Sequence, residues 1–126
     1  MRVFKTRTMA RYCKAEGISD ALLAEAIARA ERGLIDAALG SDLIKQRIAR
    51  PGKGRSGGWR TIIAYWSGNR AVFLFGFAKS NLDNIDAALL ASLKLTGAAI
   101  LTAKNAVIEA QLDDKRLLEI PYGQEN

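Results

Sequence analysis

Residues 59–79 read WRTIIAYWSGNRAVFLFGFAK, and this stretch decides the fold. The runs Trp59–Trp66 and Arg70–Lys79 are rich in β-branched and aromatic residues and meet at Ser67-Gly68-Asn69, which predicts two strands joined as a hairpin. In the second run Ala71, Phe73, Phe75 and Phe77 alternate with Val72, Leu74 and Ala78, so both faces are apolar. Such a strand lies inside a sheet and is covered on both sides. On the first strand Arg60, Ile62, Ala64 and Trp66 share one face. Antiparallel pairing then brings Arg60 and Lys79 to the same end of the hairpin.

Working outward, Pro51–Gly58 holds four glycines in eight residues and reads as a loop, not a helix or central strand. Before it, Ile44, Gln46 and Ile48 alternate with Leu43, Lys45 and Arg47, which predicts a strand. Arg2–Lys5 reads as a short strand. A helix from Thr6 to about Glu16 ends at Gly17, the residue type that most easily takes a left-handed conformation. Ser19 caps a second helix, Asp20 to about Arg32. Its Leu23, Ile27, Ala30 and Leu34 repeat at the spacing of one buried face, and Gly33 breaks it. Downstream, Asp86 to about Leu101 is helical through Leu89, Leu93 and Ile100, with Gly97, which costs about 1 kcal/mol relative to alanine, a point where it can break. Thr102 is placed to cap another helix through Val107, Ile108 and Leu112. Leu117–Ile120 reads as a final short strand. The order is one strand, two helices, a three-stranded antiparallel meander and more helices, an α+β domain. Residues 1–126 form one unit, with a core of about 1–85 and a helical C-terminal extension, 86–126.

Composition supports a packed core: of 126 residues, 49% are hydrophobic and 25% charged. No apolar run reaches the ~20 residues of a membrane-spanning helix, so no membrane association is expected. The basic N-terminus lacks the apolar stretch of a signal peptide, and the single cysteine, Cys13, has no internal disulfide partner, so a reducing cytoplasm is expected. Cys13 reads as a small buried residue. The chain has no histidine, which excludes Ser-His-Asp catalysis, most zinc sites and histidine acid–base pairs. The acids are scattered, so no metal site is expected, and the glycine pattern matches no nucleotide-cofactor fingerprint; no cofactor is expected.

Charge is unevenly spread. Residues 1–60 hold 13 Lys/Arg against 6 Asp/Glu, whereas residues 61–126 hold 6 against 7. Between Asp42 and Asp83 there are eight cations and no acid: Lys45, Arg47, Arg50, Lys53, Arg55, Arg60, Arg70 and Lys79. With a pI near 9.8, this points to a polyanionic partner that relieves the repulsion, nucleic acid above all; a solvated basic face is the alternative. The loop places Lys53 and Arg55 near Arg60 and Lys79, with Trp59 or Tyr65 available to stack on a base or to pack in the sheet. Lys45, Arg47, Arg50 and Arg70 are further RNA-binding candidates. Without a metal, RNA is cut when its own 2′-hydroxyl attacks the adjacent phosphate, provided a base takes the proton and cations stabilise the phosphate. Lys53, with Arg50 and Arg55 nearby, is suited to act as the base, since neighbouring positive charge lowers a lysine pKa.

The segment RPGKGRSGGWRTIIAYWSGNRAVFLFGFAKSNLDNI, residues 50–85, with the N-terminal MRVFKT and the helical pair, resembles the RelE/ParE superfamily of bacterial toxins, especially its HigB-like, phage-associated branch. The likeness spans about residues 1–90. It implies a RelE-like fold, with a strand and two helices packed on a small antiparallel sheet. It implies the toxin of a type II toxin–antitoxin system, paired with an antitoxin of helix-turn-helix type. It also implies a metal-independent mRNA endoribonuclease that works on the ribosome and inhibits translation. By resemblance Lys53 is the base, Arg55 and Arg60 bind phosphate and transition state, and Lys79 assists the leaving group. A gyrase-inhibiting ParE-like toxin and a non-catalytic nucleic-acid-binding module of the same fold stand as alternatives.

Overall fold

The computed structural model describes residues 1–50, 52, 54–78 and 85–123. Along the chain run β1 (Arg2–Thr6), α1 (Arg7–Glu16), α2 (Asp20–Glu31), β2 (Ala37–Gly40), β3 (Leu43–Arg50), β4 (Gly54–Trp66), β5 (Arg70–Ala78), α3 (Ala87–Thr102), α4 (Asn105–Asp113) and β6 (Leu117–Ile120). The strands form one mixed sheet in the order β2-β3-β4-β5-β1-β6, and the α+β class read from the sequence holds. The meander β3-β4-β5 is antiparallel, β1 pairs parallel with β5, and β6 closes antiparallel on β1.

Local signals set both N-terminal helices. The Thr6 hydroxyl accepts from the Met9 amide and the Ser19 hydroxyl from the Leu22 amide, satisfying N–H groups that have no partner inside a helix. Gly17 ends α1 at φ 75°. These helices bury Met9, Cys13, Leu23, Ala26 and Ile27 against Val3, Ile44, Ile63 and Phe73 on one sheet face. On the other face α3 and α4 bury Leu93, Ile100, Leu101 and Ile108 against Phe4, Ile62, Val72 and Leu74. The C-terminal segment therefore supplies the second covering layer that an all-apolar β5 requires.

Four sequence expectations change. Ala71 and Phe73 face α1 and α2, whereas Phe75 and Phe77 face the α3 side with Val72 and Leu74. The pairing jumps from Ile63–Phe73 to Ile62–Phe75, so Leu74 is an inserted bulge residue that reverses the alternation beyond it. Second, β4 begins at Gly54 inside the expected loop. Gly58 lies so close to the Ile48 carbonyl that no Cβ fits there, so glycine permits this strand instead of forbidding it. Third, Gly97 does not break α3; a Cβ there would lie 2.8 Å from that of Ala64, so the missing side chain lets helix meet sheet. Fourth, Thr102 lies within α3, its hydroxyl donating to the Ala98 carbonyl at 2.7 Å, and Lys104 occupies the N-cap of α4. Strand β2 was not foreseen at all. Among the described residues, no single helix is long and apolar enough to cross a membrane.

The turn of the β4–β5 hairpin is tied to the end of α2 by Glu31. Its carboxylate accepts from the Tyr65 hydroxyl, from Ser67 Oγ at 3.0 Å and from the Gly68 amide at 3.1 Å. Burial pushes the Glu31 pKa up, but these hydrogen bonds outweigh it and hold the group below the ordinary glutamate value. The stabilisation is thus present above the unfolded-state pKa and is lost as pH falls through the folded one. Glu31→Gln is expected to flatten the acid side of the stability–pH curve, measured as thermal midpoint against pH. Gly97→Ala is expected to cost about 1–3 kcal/mol in urea unfolding from overpacking, although alanine favours an isolated helix by about 1 kcal/mol.

Candidate nucleic-acid interface

Cross-strand register assembles the site. Arg47 on β3 lies directly opposite Arg60 on β4, and Lys45 lies opposite Ile62. Side chains directly opposite or two residues apart on a strand share a face, so Lys45, Arg47 and Arg60 converge at one end of the sheet, on the side that carries Ile62 and Phe77. Like charges facing each other across strands are destabilising. One acid tempers them. Asp36, just before β2, accepts from the Arg47 amide at 2.6 Å and lies 3.5 Å from the Arg47 guanidinium and 3.7 Å from that of Arg29.

Asp36 is held from below. Its amide donates to Gln46 Oε1 at 2.8 Å, and the fully buried Gln46 amide donates to the carbonyls of Ala26 and Leu34. Arg29, itself 7% exposed, donates to the Arg47 carbonyl and to Glu25. Both edge groups of Arg47 are therefore capped by side chains, which closes this stretch of the sheet edge to a further strand.

Arg60 is the unusual member. It is 7% exposed, yet among the described residues its side chain makes one hydrogen bond, a long 3.5 Å contact to the neighbouring Trp59 carbonyl. A cavity of about 220 Å³ opens over it, lined also by Asp36, Lys45 and Arg47. Burial, then the nearby Arg47 charge, lowers the Arg60 pKa against the opposing pull of Asp36. An arginine nonetheless stays charged at neutral pH. A guanidinium with open donors in a cationic cavity is an anion site, and its planar fork suits the paired oxygens of a phosphate.

The other sequence candidates divide. Trp59 is 3% exposed and faces α1, away from Arg60; its indole N–H donates to Glu16 at 2.9 Å, and Arg50 covers its ring at 5.4 Å. Sheet packing thus occupies the ring that was to stack on a base, while Arg50 above it stays exposed. Arg70 sits beside the turn, at the far end of β4–β5 from Arg60. Its guanidinium donates to the carbonyls of Ile100 and Ala103 at 2.8 Å and of Leu101 at 3.3 Å, and to Asn105 Oδ1 at 3.1 Å. It is bound to the end of α3 and does not join the cluster. Lys53 and Lys79 lie outside the described residues, as does the side chain of Arg55. Cys13 is buried, and burial raises its thiol pKa, which suits packing and not nucleophilic chemistry.

Sequence reading missed Asp36 and Arg29. The signal for Asp36 was present in Gly40-Ser41-Asp42, three consecutive residues with positive φ, a turn that folds β2 back along β3 and returns Asp36 to Arg47. No local pattern distinguishes Arg29 from a solvated cation on α2.

A family model for the RelE toxin of the RelE/RelB toxin–antitoxin system matches residues 1–120. The chain belongs to the RelE toxin family. Comparison with curated proteins gave no match. Membership makes this RelE-family chain the toxin of a toxin–antitoxin system and implies an antitoxin partner.

Arg70→Ala is expected to cost about 2–4 kcal/mol, because it strips several charge-assisted hydrogen bonds from buried carbonyls. RNA affinity of the folded variant should match that of the parent. Urea unfolding alongside an RNA-binding titration checks both.

Proposed function

We propose that this RelE-family toxin is a ribosome-dependent, metal-independent mRNA endoribonuclease that inhibits translation. The observation that carries the reading is the buried Arg60 guanidinium, opening with Arg47 and Lys45 into one cavity. In a low-dielectric site, donors fixed where phosphate charge accumulates stabilise the transition state without reorganising. Arg60 is the phosphate binder, and Lys45 and Arg47 guide the strand and neutralise its backbone. The 2′-hydroxyl attacks the adjacent phosphorus, the bond to the 5′-oxygen breaks, and a cyclic phosphate and a 5′-hydroxyl result. Lys53 takes the proton of the attacking hydroxyl, Arg55 supports the phosphate and Lys79 helps the leaving oxygen acquire its proton; these three roles rest on the family resemblance. Acting on translating ribosomes places the chain in the cytoplasm, and a helix-turn-helix antitoxin is its proposed partner.

Induction in bacteria, with message ends mapped by primer extension, tests the reading. Growth arrest with new cuts inside translated codons is expected. Arg60→Lys, which keeps the charge but loses the fork, should reduce cleavage about a hundredfold, and Lys53→Ala should abolish arrest while leaving the folded chain intact by circular dichroism. Arrest with intact messages and broken DNA would overturn the proposal.

A further inference from the structure

The cationic cavity does not end at Arg60. Lys45 also lines a second cavity of about 230 Å³, together with Ile62, Phe77 and Ile85. Phe77 and Ile85 in turn line a third, of about 360 Å³, whose other walls include Tyr12, Glu16 and Phe75. Among the described residues, shared lining residues set the three cavities in a row, a trough-like series that reaches from Arg60 to α1. Its far end arises because β1 pairs with β5 only as far as Phe73 and the chain then turns into α1. The next stretch of β5 is covered by a helix, and the Tyr12 ring lies against Gly76 where a Cβ would come within 2.6 Å of it.

The chemistry changes along the trough. One end offers fixed cations, the other aromatic rings with a carboxylate. Phe75, partly buried, stands 6.1 Å from the core residue Phe77 between ring centroids and is tilted by 34° to it, and its ring is a surface against which a flat heterocycle packs. Glu16 is exposed on α1 and accepts from the Trp59 indole through Oε1. An ionised carboxylate has about four acceptor sites over its two oxygens, so acceptor capacity remains on both. Burial, then the Glu16 charge, pushes the Tyr12 pKa up to about 12, so its hydroxyl remains a neutral donor at physiological pH.

We infer that the cavity between Tyr12, Glu16, Phe75 and Phe77 receives one nucleobase of the RNA strand whose phosphate lies at Arg60, and that Glu16 selects the base. This rests on the nucleic-acid reading of the Arg60 cavity and adds a specificity site to it. The carboxylate sets a ranking. Guanine presents two adjacent N–H donors, matching two carboxylate oxygens. Adenine and cytosine present one amino group beside an acceptor. The single N–H of uracil lies between two carbonyl oxygens that repel the carboxylate. Guanine binds tightest and uracil weakest.

The test is an NMR titration of the purified full chain with GMP, AMP, CMP, UMP and ribose 5-phosphate. GMP should bind about tenfold tighter than UMP, the discrimination typical of a bidentate base contact, with AMP and CMP between them and shifts in the Tyr12, Phe75 and Phe77 rings. Glu16→Gln keeps an acceptor for Trp59 and should narrow the GMP–UMP ratio to within about twofold without changing ribose 5-phosphate affinity. Tyr12→Leu should weaken all four nucleotides and spare ribose 5-phosphate. Equal binding of the four nucleotides, a ratio unmoved by Glu16→Gln, or ring signals that do not respond would overturn the inference. The two readings fail separately. Base-blind binding with message cleavage retained in cells removes only the base site; a base ranking lost in Glu16→Gln without message cleavage removes only the ribonuclease.

Discussion

The architecture depends on a strand that has no solvent face. Val72, Phe73 and Leu74 of β5 are all buried, and a strand of this kind can be accommodated only between two apolar layers. The pair α1 and α2 supplies one and the pair α3 and α4 the other. Placing β5 beside the N-terminal strand, in parallel, lets α1 leave directly from the end of β1 onto the sheet. With both faces covered, the exposed ground left for function is at the ends and edges of the sheet. The cations gather at the end opposite the β4–β5 turn, where β3 and β4 project Lys45, Arg47 and Arg60.

Electrostatic strain at that end fits a molecule that works with a polyanion. Arg47 and Arg60 face each other across paired strands, and among the described residues Asp36 is the one carboxylate lining the Arg60 cavity. Two cations at the N-terminal strand are matched by acids: Arg2 lies against Glu119 and Glu109, and Lys5 against Asp20. The contrast separates cations bound into the fold from those left open to a ligand. Arg70 and Arg29 show the first kind; buried like Arg60, they spend their donors on backbone carbonyls and local acids. Burial alone does not mark a functional arginine. Burial with a single long hydrogen bond among the described residues, beside an open cavity, does.

Glycine acts in this fold mainly through close approach. Gly58, Gly76 and Gly97 sit against a carbonyl, a tyrosine ring and an alanine of the sheet, and a side chain at any of them would displace a neighbour. Each therefore sets a distance on which the trough or its covering helices depend. Gly76 allows Tyr12 to reach the sheet, and Gly97 brings α3 down onto β4. In sequence the same residues read as interruptions, because a local pattern carries propensity and not proximity.

Much of the molecule is determined by residues near one another in the chain. The hairpin at Ser67-Gly68-Asn69, the Ser19 cap, the stop at Gly17 and the α2 stripe of Leu23, Ile27 and Ala30 follow from rules acting over a few residues, and all were legible, as was the excess of cations around residues 45–79; Leu34, read into the same stripe, lies beyond α2 and is exposed, because the helix ends at Glu31. Tertiary structure decided which cations are open. The eight uncompensated charges look alike in sequence, but pairing set Arg47 against Arg60, returned Asp36 to Arg47, sent Arg70 to the end of α3 and placed Trp59 on the opposite face. The bulge at Leu74 turned Phe75 and Phe77 toward the trough, which unbroken alternation would not have done. Local periodicity encodes which way a residue faces within its own element. What it meets there depends on partners brought from tens of residues away by burying a core that no short segment contains.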